Sequence, residues 1–194
     1  MYKTVKRALD ILLLLLSSPL VLPVLLILSL FIRLDSPGAV FFKQKRAGRY
    51  GRHFEIYKFR TMRTDTPRDV PTHLLDDPER YITRLGRFLR KTSLDELPQA
   101  INILKGDMSF VGPRPALWNQ FDLIALRDQY GANAVRPGLT GLAQISGRDE
   151  LPIEEKAAID GRYIENFGFR MDARVFILTF LSVFRQEGVK EGKS

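Results

Sequence analysis

The residues best suited to chemistry lie in one stretch, Ser93-Leu94-Asp95-Glu96-Leu97-Pro98-Gln99, where two carboxylates adjoin. An ionised carboxylate can serve as nucleophile, base or hard-metal ligand. The stretch also has a purely structural reading. Ser93-x-x-Glu96 matches a capping box, and acids complement the dipole of a helix start. Pro98 suits a first helical position, which would leave Asp95 and Glu96 in the loop before the helix. Either placement puts the pair near a helix N-terminus, where phosphates bind. Just upstream, Arg84, Arg87, Arg90 and Lys91 recur three to four residues apart. They form either a solvated charged face or a set that grips phosphate oxygens. Cations this close would depress the Asp95 pKa and keep it ionised, as a carboxylate nucleophile requires.

Two further constellations follow. In Val111-Gly112-Pro113-Arg114-Pro115, prolines on both sides restrict the backbone around one arginine. That suits fixed recognition of an anion, or simply a rigid turn. Residues 136–148, RPGLTGLAQISGR, bring Arg136, Gln144 and Arg148 together with three glycines that permit close backbone approach to a ligand. The spacing matches neither a P-loop nor a dinucleotide fingerprint.

These groups need elements to hold them. Residues 39–44 and 54–59 are β-leaning and aromatic-rich, joined by a segment carrying Gly48 and Gly51, so a hairpin is expected. Residues 64–77 are polar with Pro67 and Pro71 and read as a loop. Helical patterns cover residues 81–91, 99–104, 116–130 and 153–166, and an apolar helix follows at 175–184. That last helix is either a buried core helix or an amphipathic one lying in a membrane interface. The expected fold class is mainly α with few short strands.

Residues 11–32 carry no charge over 22 positions, enough for a bilayer-spanning helix of about 20 residues. A signal peptide would need a shorter apolar run and a small-residue cleavage site. Pro19 and Pro23 interrupt the run after Ser17 and Ser18, so a sharp bend is expected. Basic residues flank both ends, Lys3, Lys6 and Arg7 before and Arg33, Lys43 and Lys45 after, and positive charge favours the cytoplasmic side. A re-entrant helix-hairpin bent at Ser18-Pro19 keeps both clusters on one side. Its freed carbonyls fall to the Ser17 and Ser18 hydroxyls.

Composition narrows the partners. The chain has 194 residues, a net charge of +8 and no cysteine. The charge points to phosphorylated molecules, nucleic acid or an anionic lipid surface. Disulfides and thiol catalysis are excluded, and with only His53 and His73 a His-rich zinc site is too. Any metal must be held by carboxylates and phosphates, which favours Mg2+.

Taken together, KRALDI at 6–11, the Ser18-Pro19 pair, YKFRTM at 57–62, RLGRFLRKTSLDELPQ at 84–99, NILKGDMSFVGPRP at 102–115, RPGLTGLAQISGR at 136–148 and DGRYIENF at 160–167 resemble one family, the small monotopic phosphoglycosyl transferases that start bacterial glycan assembly. The resemblance covers almost the whole chain, in its minimal form without added domains. It implies a re-entrant membrane helix at 1–34 and a compact catalytic domain at 35–194, on the cytoplasmic face of the bacterial inner membrane, with interfacial amphipathic helices. It also implies Mg2+ held by Asp95, a UDP-sugar donor, a polyprenyl (undecaprenyl) phosphate acceptor and no nucleic acid. Asp95 would be the nucleophile that carries a covalent phosphosugar while UMP leaves, with Glu96 as general base or positioning residue. Arg90, Arg87, Arg114, Pro113, Pro115, Arg136, Gln144 and Arg148 are the expected substrate-binding residues. A glycosyltransferase releasing UDP, or a basic membrane-anchored scaffold, are the rival expectations. The resemblance is compatible with galactose, glucose or N-acetylated or diamino-deoxy hexoses as the sugar, with exopolysaccharide or lipopolysaccharide as the glycan, and with an oligomer.

Overall fold

The computed structural model describes residues 2–66, 77–147 and 151–185. It is mainly helical with four short strands among those residues. The first helix, α1 (Tyr2–Asp35), is uninterrupted and holds both Pro19 and Pro23. A proline at position 19 has no N–H to offer the carbonyl of Leu15. The Ser18 hydroxyl donates to that oxygen instead, at 2.8 Å, and the Ser17 hydroxyl donates to the Leu14 carbonyl at 3.1 Å. The helix is long and apolar enough to cross a membrane.

Both halves of α1 pack on the rest of the chain. Near its start, Lys6 pairs with Asp172 at 2.5 Å, Tyr2 donates to the same carboxylate, and the buried Asp10 accepts from the Ser109 hydroxyl and the Phe110 N–H. Near its end, Leu28 and Ile32 join Phe59 and Leu89 in a buried cluster. Between them Leu15, Leu16, Leu20 and Leu22 stay exposed.

Strands β1 (Phe41–Ala47) and β2 (His53–Phe59) form the expected antiparallel hairpin, with Phe42 opposite Lys58. Thr83 caps α2 (Arg84–Lys91) by accepting from the Gly86 N–H at 2.9 Å. Tyr81 and Ile82 therefore lie before the helix, and Ile82 bridges Met62. A Cβ on Gly86 would sit 2.0 Å from the Thr61 carbonyl oxygen, so only glycine lets α2 press against that strand exit.

The capping box at Ser93 does not form. Ser93 is left-handed, with φ 57°, and makes no side-chain cap bond. It turns the chain from α2 into a short 3-10 helix, Leu94–Gln99, that carries the acidic pair and contains Pro98; α3 (Ala100–Lys105) follows. Strand β3 (Ser109–Val111) pairs in parallel with β4 (Gly138–Thr140). Gly138 approaches Gly112 so closely that a Cβ would meet its nitrogen at 2.2 Å.

Helix α4 covers only Phe121–Gln129 rather than all of 116–130, because Arg114 to Leu117 run extended beside β1, where Ala47 N–H donates to the Ala116 carbonyl. The short α5 (Leu142–Ser146) follows β4. Helices α6 (Ile153–Glu165) and α7 (Phe169–Arg185) close the chain, and the buried Tyr163 and Val175 share a cluster with Val111 and Val135.

Candidate active site

The 3-10 helix brings Asp95 and Glu96 beside a lysine from β2 and an arginine from the Pro113-Arg114-Pro115 loop. Lys58 Nζ lies 2.7 Å from Glu96 Oε1 and 3.6 Å from Asp95 Oδ2. Arg114 Nη2 donates to the same Glu96 oxygen at 2.8 Å. Asp95 is only 8% exposed. Lys58 is carried by β2, where it stands opposite Phe42 of β1. Asn102 on α3 accepts from the Tyr57 N–H and donates to the Glu55 carbonyl, locking that strand against the helix following the acidic pair.

The two carboxyls titrate in opposite directions. Burial pushes Asp95 up; Lys58 opposes this, Glu96 adds to it, and Arg90 and Arg114 oppose it without cancelling it. Burial also pushes Glu96 up, but the charges and hydrogen bonds of Arg114 and Lys58 outweigh it and hold that carboxyl well below the usual range. The expectation that nearby cations depress Asp95 is therefore corrected. The cations bond directly to Glu96, while Asp95, more than 3 Å from Lys58, feels desolvation most.

Arg114 sits on a loop whose carbonyls are each anchored. Gly138 N–H donates to the Pro113 oxygen at 2.9 Å, Arg127 Nη1 to the Arg114 oxygen at 2.8 Å, and Arg46 Nη1 to the Pro115 oxygen at 3.1 Å. Arg127, on α4, is itself held by Asp160 of α6 through bonds of 2.8 and 2.6 Å, both residues being buried. Pro113, Arg114 and Pro115 also line an open pocket together with Ala47, Gly48 and Arg127.

The other expected residues divide. Arg90 acts on Asp95 through its charge, whereas Arg87 points to Glu79, with an ion pair of 2.5 Å on the surface. Gln144 turns inward, its amide donating to the Leu139 carbonyl at 3.1 Å. Arg136 donates to the Gly106 carbonyl at 2.8 Å and lines a different pocket, with Lys3, Lys6 and Asp10. Arg148 lies outside the described residues. Lys58, Arg127 and Asp160 were not among the expected site residues. A lysine on an alternating strand reads as solvent-facing, and nothing local pairs residues 127 and 160; only the YKFRTM and DGRY stretches flagged their neighbourhoods.

Among the described residues no cluster of three or more His, Cys, Asp or Glu could enclose a metal alone. Two adjoining carboxylates do fit a hard cation that takes its remaining ligands from water and phosphate.

The family model described as bacterial sugar transferase matches residues 1–186. An uncharacterized sugar transferase of Bacillus subtilis, EpsL, is 45% identical over 160 residues, 82% of this chain and 77% of that protein. A UDP-glucose:undecaprenyl-phosphate glucose-1-phosphate transferase of Caulobacter vibrioides is 41% identical over 188 residues, 92% of this chain and 69% of the relative. A UDP-N-acetylgalactosamine-undecaprenyl-phosphate N-acetylgalactosaminephosphotransferase of Aeromonas hydrophila is 36% identical over 197 residues, covering 97% of this chain but only 46% of that longer protein.

Proposed function

The chain belongs to the bacterial sugar transferase family, and on that premise we propose that it moves a sugar phosphate from a UDP-sugar to a polyprenyl phosphate, with Asp95 as nucleophile. The observation that carries this reading is a buried carboxylate, Asp95, beside an ion-paired one, Glu96, with Lys58 and Arg114 converging on them. An Asp95 oxygen attacks the β-phosphorus, the bond to the oxygen bridging the two phosphorus atoms breaks, and UMP leaves with that oxygen. An oxygen of the acceptor phosphate then attacks the same phosphorus. The bond to Asp95 breaks, the carboxylate is restored, and polyprenyl-diphosphate-sugar is formed.

Burial strengthens Asp95 as a nucleophile, since a poorly solvated carboxylate of raised basicity attacks more readily than a hydrated one. Arg114 and Arg90 would offset charge on the transferring phosphoryl group. The acceptor, a phosphate monoester with a second pKa of about 6, needs little base. Glu96, held ionised and hydrogen-bonded, is a weak base; it fits better as the residue that positions Lys58 and Arg114. Asp95, with Glu96 through water, would hold Mg2+, which offsets the charge of the donor diphosphate.

The N-terminal helix is proposed to enter one leaflet and return, keeping the site on the cytoplasmic face of the inner membrane. Its prolines, the Ser18 bond to Leu15, and the contacts of both ends with one protein body support this.

Nucleotide release tests the reaction. The protein, in detergent or native-lipid particles, is supplied with Mg2+, undecaprenyl phosphate and a panel of UDP-sugars, alongside Asp95→Asn. UMP from one donor, lost in the variant, is expected and identifies the sugar. UDP would mean ordinary sugar transfer, and release undiminished in Asp95→Asn would remove Asp95 as nucleophile.

A further inference from the structure

A second basic cavity lies apart from the acidic pair and shares none of the four residues Asp95, Glu96, Lys58 and Arg114. It is an open surface pocket whose polar lining is Lys3, Lys6, Asp10, Arg49, Ser109 and Arg136. Lys3, Lys6 and Asp10 fall on successive turns of α1, so they share a face. Arg49 comes from the β1–β2 connection, Ser109 from β3, and Arg136 from the segment before β4.

The two arginines here are held in place by main-chain oxygens rather than by carboxylates. Arg49 donates to the Ala134 carbonyl at 3.1 Å and Arg136 to the Gly106 carbonyl at 2.8 Å. Main-chain oxygens orient a guanidinium but carry no net charge. Lys6 does meet a carboxylate, Asp172. Asp10, the only acid in the lining, accepts from the neutral Ser109 hydroxyl and Phe110 N–H. Burial and the neighbouring charges of Arg7 and Arg49 hold the Arg136 guanidinium below its usual value, a sign of cations crowded together. Four cations against two carboxylates, Asp10 and the Asp172 group on Lys6, leave a net positive pocket that suits an oxyanion accepting charge-assisted bonds.

Place selects the anion. The charge-free run begins at residue 11, directly after Asp10, and Leu12 and Leu13 are already exposed. Leu12 is about 3 Å along the helix axis from Asp10. We propose that this pocket binds the phosphate headgroup of an anionic membrane lipid whose tails lie along the exposed start of the apolar run. The phosphate chemistry follows from the pocket; the lipid source rests on the reading that α1 enters a membrane.

The test is a thermal-shift titration of the full chain in a neutral maltoside detergent, with no donor or acceptor present, so it does not depend on the proposed reaction. The probes are dihexanoyl phosphatidylglycerol, dihexanoyl phosphatidylcholine and inorganic phosphate. A saturable rise in Tm with phosphatidylglycerol above that with phosphatidylcholine is expected. The half-saturating concentration should rise about tenfold in Arg49→Gln, the loss of one charge-assisted bond. Lys3→Gln, at an exposed position that does not threaten folding, should weaken it about threefold, a lost charge near the ligand. Arg63→Gln, a surface control, should not move it. An equal shift with inorganic phosphate would overturn the lipid source in favour of a soluble phosphate. No shift with any probe, or one unaltered in both Arg49→Gln and Lys3→Gln, would overturn the site itself.

Discussion

Asp95 and Glu96 adjoin in sequence, yet their surroundings drive them apart, and that separation can be measured without any substrate. Glu96 has a depressed carboxyl, so its stabilising contribution is fully present above its unfolded pKa of about 4.3 and is lost as pH falls through the folded value. Asp95 has a raised carboxyl. Its favourable contribution is present below an unfolded pKa of about 3.9 and disappears as pH rises through the folded value, leaving a penalty at neutral pH. Asp95→Asn should therefore raise Tm at pH 7 while abolishing turnover, and the gain should shrink on acidification. Glu96→Gln should lower stability by about 2 kcal/mol, because Lys58 and Arg114 lose the negative charge they share while an amide oxygen remains as acceptor. Thermal melts of the two variants between pH 4 and 8 check both signs; a Tm for Asp95→Asn below wild type at pH 7 would contradict the buried-charge account. The dyad was legible as adjacent acids following an arginine-rich helix. Its asymmetry was not, because it depends on Lys58 and Arg114, which lie 38 and 18 residues from Glu96.

At the scale of elements, the hairpin and the later helices were legible because periodicity and turn residues are local signals. Ser93-x-x-Glu96 matches a capping box in sequence, yet the left-handed backbone of Ser93 cannot present its hydroxyl to a helix start, and nothing in the four-residue pattern reveals that. The parallel pairing of β3 with β4 joins segments almost 30 residues apart, each only three residues long. The link between α4 and α6 was equally hidden, since Arg127 and Asp160 read as ordinary surface charges on amphipathic helices. In the folded chain they are 3% and 1% exposed, and Arg127 carries the Arg114 carbonyl. Asp160→Asn should destabilise the fold by about 3 kcal/mol by leaving a buried guanidinium unpaired. A paired swap, Arg127→Met with Asp160→Leu, separates packing from positioning. Replacing a buried ion pair by apolar residues is often neutral for stability. The swap should therefore restore Tm while kcat stays about tenfold low, for want of the bond to the Arg114 loop. Full recovery of kcat together with Tm would reduce the pair to a structural role.

At the scale of the whole molecule, the issue is how a 34-residue helix meets a membrane and still serves one folded body. Straight, it would extend about 51 Å, well beyond a hydrocarbon core of about 30 Å. A straight crossing would put Tyr2 and Asp35 on opposite sides. Yet Tyr2 and Lys6 bond to Asp172 on α7, and Leu28 and Ile32 pack on Phe59 and Leu89. If the folded body lies on one side of a bilayer, it cannot hold both ends of a helix that crosses it. The exposed leucines from Leu12 to Leu22 would then sit among acyl chains, and Ser18, by bonding the Leu15 carbonyl, would spare the cost of leaving that oxygen unpaired at Pro19. The absence of cysteine makes the test direct. Thr4→Cys and Asp35→Cys each introduce one thiol, at exposed positions near opposite ends of α1. In intact spheroplasts both thiols should resist a membrane-impermeant maleimide, and both should react after lysis. Labelling of one end alone in intact cells would mean a straight crossing, and the re-entrant reading would fall while the chemistry assigned to Asp95 stood on its own test.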